Sequence, residues 1–158
     1  MDRKELEAER IKDEEKNWEQ LANAWLSARE WKKAIPPLIK AAEMSEDGGL
    51  FLRLGQTYMQ EEDWKNAEKN IRYAIKKGDL DNPGRAWLLL GITRNKKGIK
   101  FENSALFAFK RSTGYDDMEA DARRWVKVIE AKQARREADR LAAEAAEAEL
   151  ADDTIYFN

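Results

Sequence analysis

The chain of 158 residues contains no cysteine and no histidine. Those two absences remove disulfides, thiolate nucleophiles, and zinc or haem sites built on either ligand. A chain without cysteine is compatible with any redox compartment and points to none. A long apolar run is also missing: nothing approaches the roughly eighteen consecutive residues that a membrane helix requires. Nor is there an excess of one charge. Lys and Arg number 29 against 31 Asp and Glu, a net charge of −2, so phosphate-driven nucleic-acid binding has no footprint. The opening stretch MDRKELEAERIKDEEKN is too densely charged to act as a signal peptide. No Ser or Lys has a credible activating partner, and there is neither a Gly-rich phosphate loop nor a pair of carboxylates in apolar surroundings. The residues therefore argue against an enzyme and call for no cofactor and no metal.

What is present is a repeat. Hydrophobic residues make up 42% of the chain, enough for one domain with a modest core. Trp18, Leu21, Ala22 and Trp25 are followed by Trp31, Ala34, Leu38 and Ala41. Phe51, Leu54, Gly55 and Tyr58, then Trp64, Ala67, Ile71 and Ala74, repeat that set 33 residues later at every position. A third copy opens with Trp87, Leu90, Gly91 and Arg94, 36 residues after Phe51, and continues through Phe101, Ala105, Phe109 and Ser112. The third copy is less regular, which implies one or two extra residues near GIKFEN.

The spacing has a physical meaning. Positions 4, 7, 8 and 11 of each unit form one face of a helix, and positions 20, 24 and 27 form one face of a second. Small residues at positions 8 and 20, such as Gly55 and Ala67, let the paired helices approach closely. A hairpin of this size cannot bury its own face, so successive units must stack and share a core.

The motif Trp-x-x-Leu-Ala-x-x-Trp of the first unit and Phe-x-x-Leu-Gly-x-x-Tyr of the second resemble the tetratricopeptide-repeat family. The resemblance implies an all-α solenoid of three helix-turn-helix units at 15–47, 48–80 and 84–117. They follow a charged helical lead at 1–14. Residues 118–150 then form a capping and extended Ala-rich helix, and 151–158 a C-terminal tail. Two departures stand out. Arg94 occupies an aromatic position in the third unit, and Glu46 and Asp79 replace the proline that usually ends a unit.

Longer words, KNW, KAIPPL, SEDGGLFLRL and LDNPG, resemble the C-terminal part of tetratricopeptide proteins associated with TonB energy-transduction systems of Gram-negative bacteria. That resemblance implies a periplasmic adaptor in transport, with a TonB-system component as partner. It also implies that the chain is the last part of a longer protein with a start codon added. A cytoplasmic location is the alternative.

Several features admit more than one reading. Pro36 and Pro37 fall inside the second helix, where proline removes a hydrogen bond at about 3 kcal/mol; the expected result is a kink that re-aims Leu38 and Ile39. Five of the six tryptophans occupy repeat positions that fill the core, so packing outweighs ligand stacking. GDLDNPG lacks the ligand spacing of a calcium loop and reads as a chain reversal, with Gly78 ending one helix and Asn82-Pro83 opening the next.

The family geometry implies a groove lined by the first helix of each unit, at positions 2, 5, 9 and 12. These are Lys16, Glu19, Asn23 and Leu26, then Gly49, Leu52, Gln56 and Met59, then Arg85, Leu88, Ile92 and Asn95. Leu26, Leu52, Met59, Leu88 and Ile92 make an apolar stripe that suits a protein or peptide partner. Asn23, Gln56 and Asn95 are placed to bond its backbone. The carboxylate clamp of chaperone-binding relatives is not expected, because Glu19 and Leu89 stand where its Lys and Arg would be. The runner-up is an assembly module. Ala134, Ala138, Leu141, Ala145 and Ala148 form a narrow heptad seam for self-association, and Ile155, Tyr156 and Phe157 form a possible docking tail.

Overall fold

The repeat predicts alternating helices, and a computed structural model shows them. It describes residues 1–156, with side chains through Ile155. The seven helices run in order: α1 Arg3–Ser27, α2 Trp31–Met44, α3 Gly49–Gln60, α4 Trp64–Lys77, α5 Pro83–Lys96, α6 Glu102–Ser112 and α7 Glu119–Tyr156. Among the described residues there is no strand, and no helix is long and apolar enough to cross a membrane. Helices α1–α2, α3–α4 and α5–α6 pair as hairpins, and α2, α4 and α6 each pack on the helix that follows.

Local chemistry sets the helix ends. Asp2 caps α1 through the amides of Lys4 and Glu5, and Glu5 bonds back to the Asp2 amide, which satisfies the free donors of the first turn. Asn82 caps α5 through the Arg85 amide, with Pro83 in the first helical position. Gly78 caps α4 at φ +80. The turn inside each hairpin holds one residue at positive φ: Arg29 at 58°, Glu62 at 55° and Gly98 at 118°. Their spacing of 33 and 36 residues is the repeat itself, expressed in backbone geometry.

The extra residues near GIKFEN form a 3-10 turn, Ile99–Phe101, ahead of α6. Helix α2 continues through Pro36 and Pro37, with Pro37 and Leu38 buried. The charged lead and the first helix of unit one are a single helix, α1. At the other end α7 runs past residue 150 to Tyr156. The stretch 119–156 has neither Gly nor Pro to stop it, and Thr154 Oγ1 donates to the Leu150 carbonyl at 2.8 Å.

The core is a row of linked clusters rather than one centre, as stacked repeats require. Ala22, Ala34, Leu38 and Leu54 join units one and two. Ile71, Leu90 and Ala108 join units two and three. Phe109 and Ala105 pack against Ile129 of α7. The small positions have the steric role their spacing implies. A Cβ on Gly55 would lie 2.6 Å from Ile71 Cγ1, and one on Gly91 2.6 Å from the Phe109 ring. All six tryptophans are half-buried, and Trp25, Trp87 and Trp125 pack against these clusters.

Arg94, the charged residue at an aromatic position, is accommodated by a partner one unit back. Its Nε lies 3.0 Å from Glu68 Oε1, its Nη1 donates to the Ser104 carbonyl at 3.0 Å, and Lys97 also pairs with Glu68. The repeat equivalents of Glu68 and Arg94 are Ile35 and Tyr58, both packed on the same apolar cluster. An apolar junction between units one and two has become an ionic one between units two and three. Burial disfavours the Glu68 carboxylate, but hydrogen bonds and charge from Lys97 and Arg94 outweigh it and hold its pKa below the ordinary value.

Candidate binding groove

Helices α1, α3 and α5 present the first-helix face. Between them and the loops that join units lies a cleft of about 500 Å3. Glu15 and Glu19 of α1 line one wall, and Leu52, Arg53 and Gln56 of α3 the floor. Arg85 of α5 and Asp81 of the preceding loop close it. Of the twelve first-helix residues expected in the groove, the cleft brings together Glu19, Gly49, Leu52, Gln56 and Arg85.

Arg53 organises the α1 side. Its Nη1 donates to Asn23 Oδ1 at 2.8 Å and lies 3.4 Å from Glu19 Oε1. The ties cross 30 and 34 residues of sequence and fix one groove wall to its floor. Arg53 is absent from the expected set, which used a fixed register of positions 2, 5, 9 and 12. It follows Gly49 by four residues and precedes Gln56 by three, so it shares their helix face, and that signal was available. Glu15, Asp47 and Asp81 were likewise outside the register, two of them on loops whose course the repeat does not specify.

The apolar stripe is divided among packing partners. Leu26 packs on the Ala22, Ala34, Leu38 and Leu54 cluster, and Leu52 and Met59 on the Ile71, Leu90 and Ala108 cluster. Leu88 and Ile92 pack with Trp125 and Val126, so the start of α7 covers the third-unit end of the face. Beside them Leu88, Trp125 and Val128 line a second, mainly apolar pocket of about 420 Å3. All five stripe residues are half-buried, as is Asn95, whereas Asn23 and Arg85 are exposed.

The open cleft is thus polar, with four carboxylates (Glu15, Glu19, Asp47 and Asp81) around two guanidinium groups. Asp47 Oδ1 accepts from the Gly49 amide at 2.8 Å. Glu15 and Asp81 have no ion-pair partner among the described residues. Of the expected docking tail, Ile155 is 74% exposed on the last turns of α7. The side chain of Tyr156, and Phe157 altogether, lie outside the described residues.

No family model and no curated protein matches the chain. Solved structures do. The tetratricopeptide-repeat (TPR) domain of Arabidopsis OM64 aligns with a TM-score of 0.66 at 14% identity, over 77% of this chain and 98% of that one. The N-terminal domain of stress-induced protein-1 from C. elegans aligns at 0.63 and 17% identity, over 73% and 96%. The TPR2B domain of yeast Sti1, solved in complex with pHsp70, aligns at 0.64 and 12% identity, over 75% and 98%. Identities this low speak to the fold alone. Three stacked hairpins at the observed spacing, together with these likenesses, define a helical tetratricopeptide-repeat solenoid with a long C-terminal helix.

Proposed function

We propose that the chain is a non-catalytic interaction module whose first-helix cleft binds an extended peptide or a partner helix. The observation that carries the reading is the open cleft itself. It draws on all three units, has an accessible amide at Gln56 for backbone bonding, and is cross-braced by Arg53 before any partner arrives. A preformed, braced surface avoids part of the ordering cost of binding. The excess of carboxylates selects a partner segment that carries Lys or Arg. The yeast Sti1 domain in its complex with pHsp70 supports a peptide-binding use of this fold.

The resemblance of the longer words to proteins of TonB energy-transduction systems supports a partner among the periplasmic components of such a system. The module would act there as a transport adaptor. A second reading is self-association through the C-terminal helix. It is favoured by α7, whose residues 137–155 are all exposed and include Leu141, Leu150 and Ile155.

The test is selection of random sixteen-residue peptides displayed on phage against the full chain. Calorimetry of the selected peptides with Glu15→Lys and Gln56→Ala follows, with circular dichroism to confirm that each variant folds. Selected peptides should be enriched in Lys and Arg and should lose about tenfold or more in affinity for both variants. Affinity unchanged in both would overturn the cleft as the binding site. Adding the purified periplasmic domain of a TonB-type protein in the same calorimeter tests the setting, and absence of heat would remove it.

A further inference from the structure

The opposite face of the solenoid carries a larger cleft, of about 690 Å3, between α4 and α6 with α5 as its floor. Lys65, Lys69, Arg72 and Lys76 stand along its α4 wall at intervals of four, three and four residues, one stripe of a helix face. None of the four has an ion-pair partner among the described residues. The one acid in the cleft, Glu68, is already engaged by Arg94 and Lys97. Tyr73 and Phe107 flank the stripe at 45% and 56% exposure, large aromatic surfaces left to water. Uncompensated cations beside exposed rings form a receptor for a segment that is both acidic and apolar.

The chain itself contains such a segment. After Arg140 come Glu144, Glu147, Glu149, Asp152 and Asp153 with no Lys or Arg. Leu141, Leu150 and Ile155 are exposed among them. On a helix Leu141, Glu144, Glu147, Asp152 and Ile155 fall within about 140° of one face. The stripe from Lys65 to Lys76 and the segment from Glu144 to Ile155 each advance 11 residues (76 − 65 and 155 − 144), about 16 Å of helix.

The segment cannot enter the cleft of its own chain. Helix α7 runs antiparallel to α6, held by Lys110–Glu130, Asn103–Gln133 and Glu102–Arg136. It then continues about 28 Å beyond Arg136 to Ile155, without a Gly or Pro to turn it back. Building on the self-association reading, we propose that the acidic end of α7 from one copy docks in the α4–α6 cleft of a second copy, joining chains head to tail. Such a contact is heterologous and leaves every assembly with a free cleft at one end and a free tail at the other, so assemblies grow with concentration.

Sedimentation equilibrium of the full chain from about 5 to 200 µM provides the test, with Lys69→Glu/Arg72→Glu and Asp152→Lys/Asp153→Lys as the variants. The wild-type chain should gain mass with concentration, and less so in about 0.5 M salt, which screens the contact. Each variant alone should associate at least about tenfold more weakly with unchanged circular dichroism. An equimolar mixture should recover association, because one junction keeps both native surfaces and the other sets introduced lysines against introduced glutamates. A wild-type chain that stays monomeric throughout overturns the proposal and the self-association reading together. Association unchanged by Lys69→Glu/Arg72→Glu overturns the cleft and leaves self-association through another surface. Binding of phosphatidylglycerol vesicles by the wild type, lost in that variant and without self-association, would assign the cleft to an anionic membrane and overturn the proposal.

Discussion

Replacing Gly91 by alanine sets two effects of known size against each other. In a helix interior alanine is favoured over glycine by about 1 kcal/mol, so helix propensity predicts a more stable protein. The new Cβ, however, would lie 2.6 Å from Cδ1 and Cε1 of Phe109 and 2.8 Å from its Cγ, against the roughly 3.5–4.0 Å at which carbons rest. The ring has nowhere to go. Phe109 is fully buried, and its ring also stacks on Trp125 at 5.3 Å with 4° between the planes. Overpacking of this kind costs about 1–3 kcal/mol, and a pinned ring puts Gly91→Ala near the top of that range. The expected net loss is about 2 kcal/mol, or about 4–8 °C in melting temperature for a chain of this size. Gly114→Ala is the control. Its added Cβ meets nothing closer than the Arg111 carbonyl oxygen at 3.4 Å and its φ is not positive, so it should be neutral or slightly stabilising. Urea unfolding followed by circular dichroism measures both. If Gly91→Ala proves as stable as the wild type, or if the two substitutions move the midpoint in the same direction, the close approach of α5 and α6 is not what fixes glycine there.

Two further outcomes are expected. The Glu68 pKa is lowered in the folded protein, so its contribution is present above the ordinary carboxylate range and is lost as pH falls through the folded value. Glu68→Gln should therefore lower stability at neutral pH by roughly 1–3 kcal/mol, the scale of hydrogen bonds to charged groups. The gap from wild type should narrow in acid, and a gap independent of pH would refute the assignment. Amide exchange should separate α7 into two parts at about Arg136, its last tie to α6. Beyond it the side-chain bonds of the described residues are local, as in Arg140 with Glu137 and Glu144, so amides there should exchange far faster in dilute solution than those near Ile129. Equal protection along the whole helix at low concentration would contradict that division.

The fold was legible because repetition multiplies a weak signal. One Trp-x-x-Leu-Ala-x-x-Trp says little, but three copies at 33 and 36 residues specify hairpins, their packing faces and their stacking order. Caps at Asn82 and Gly78 were readable for the same reason, since their chemistry is local. The site was less legible. Register arithmetic names which residues leave the first-helix face, and five of them do meet in one cleft. Helix spacing puts Arg53 on that face too but does not give its role, which depends on reaching Asn23 and Glu19 on a different helix, and it is silent on Asp47 and Asp81 on the loops.

By itself, then, the sequence determined the helices, their order and the small residues at each crossing, because these depend on neighbours three, four and about thirty-three positions away. Only the tertiary structure decided which polar groups pair across units. It showed that Glu68 answers Arg94 where Ile35 and Tyr58 stand in the preceding junction. It also showed that α7 covers Leu88 and Ile92 while leaving its own acidic end in solvent. Those outcomes turn on a few ångströms of inter-helix distance and on which long side chains reach across it, and no periodicity in the chain encodes either.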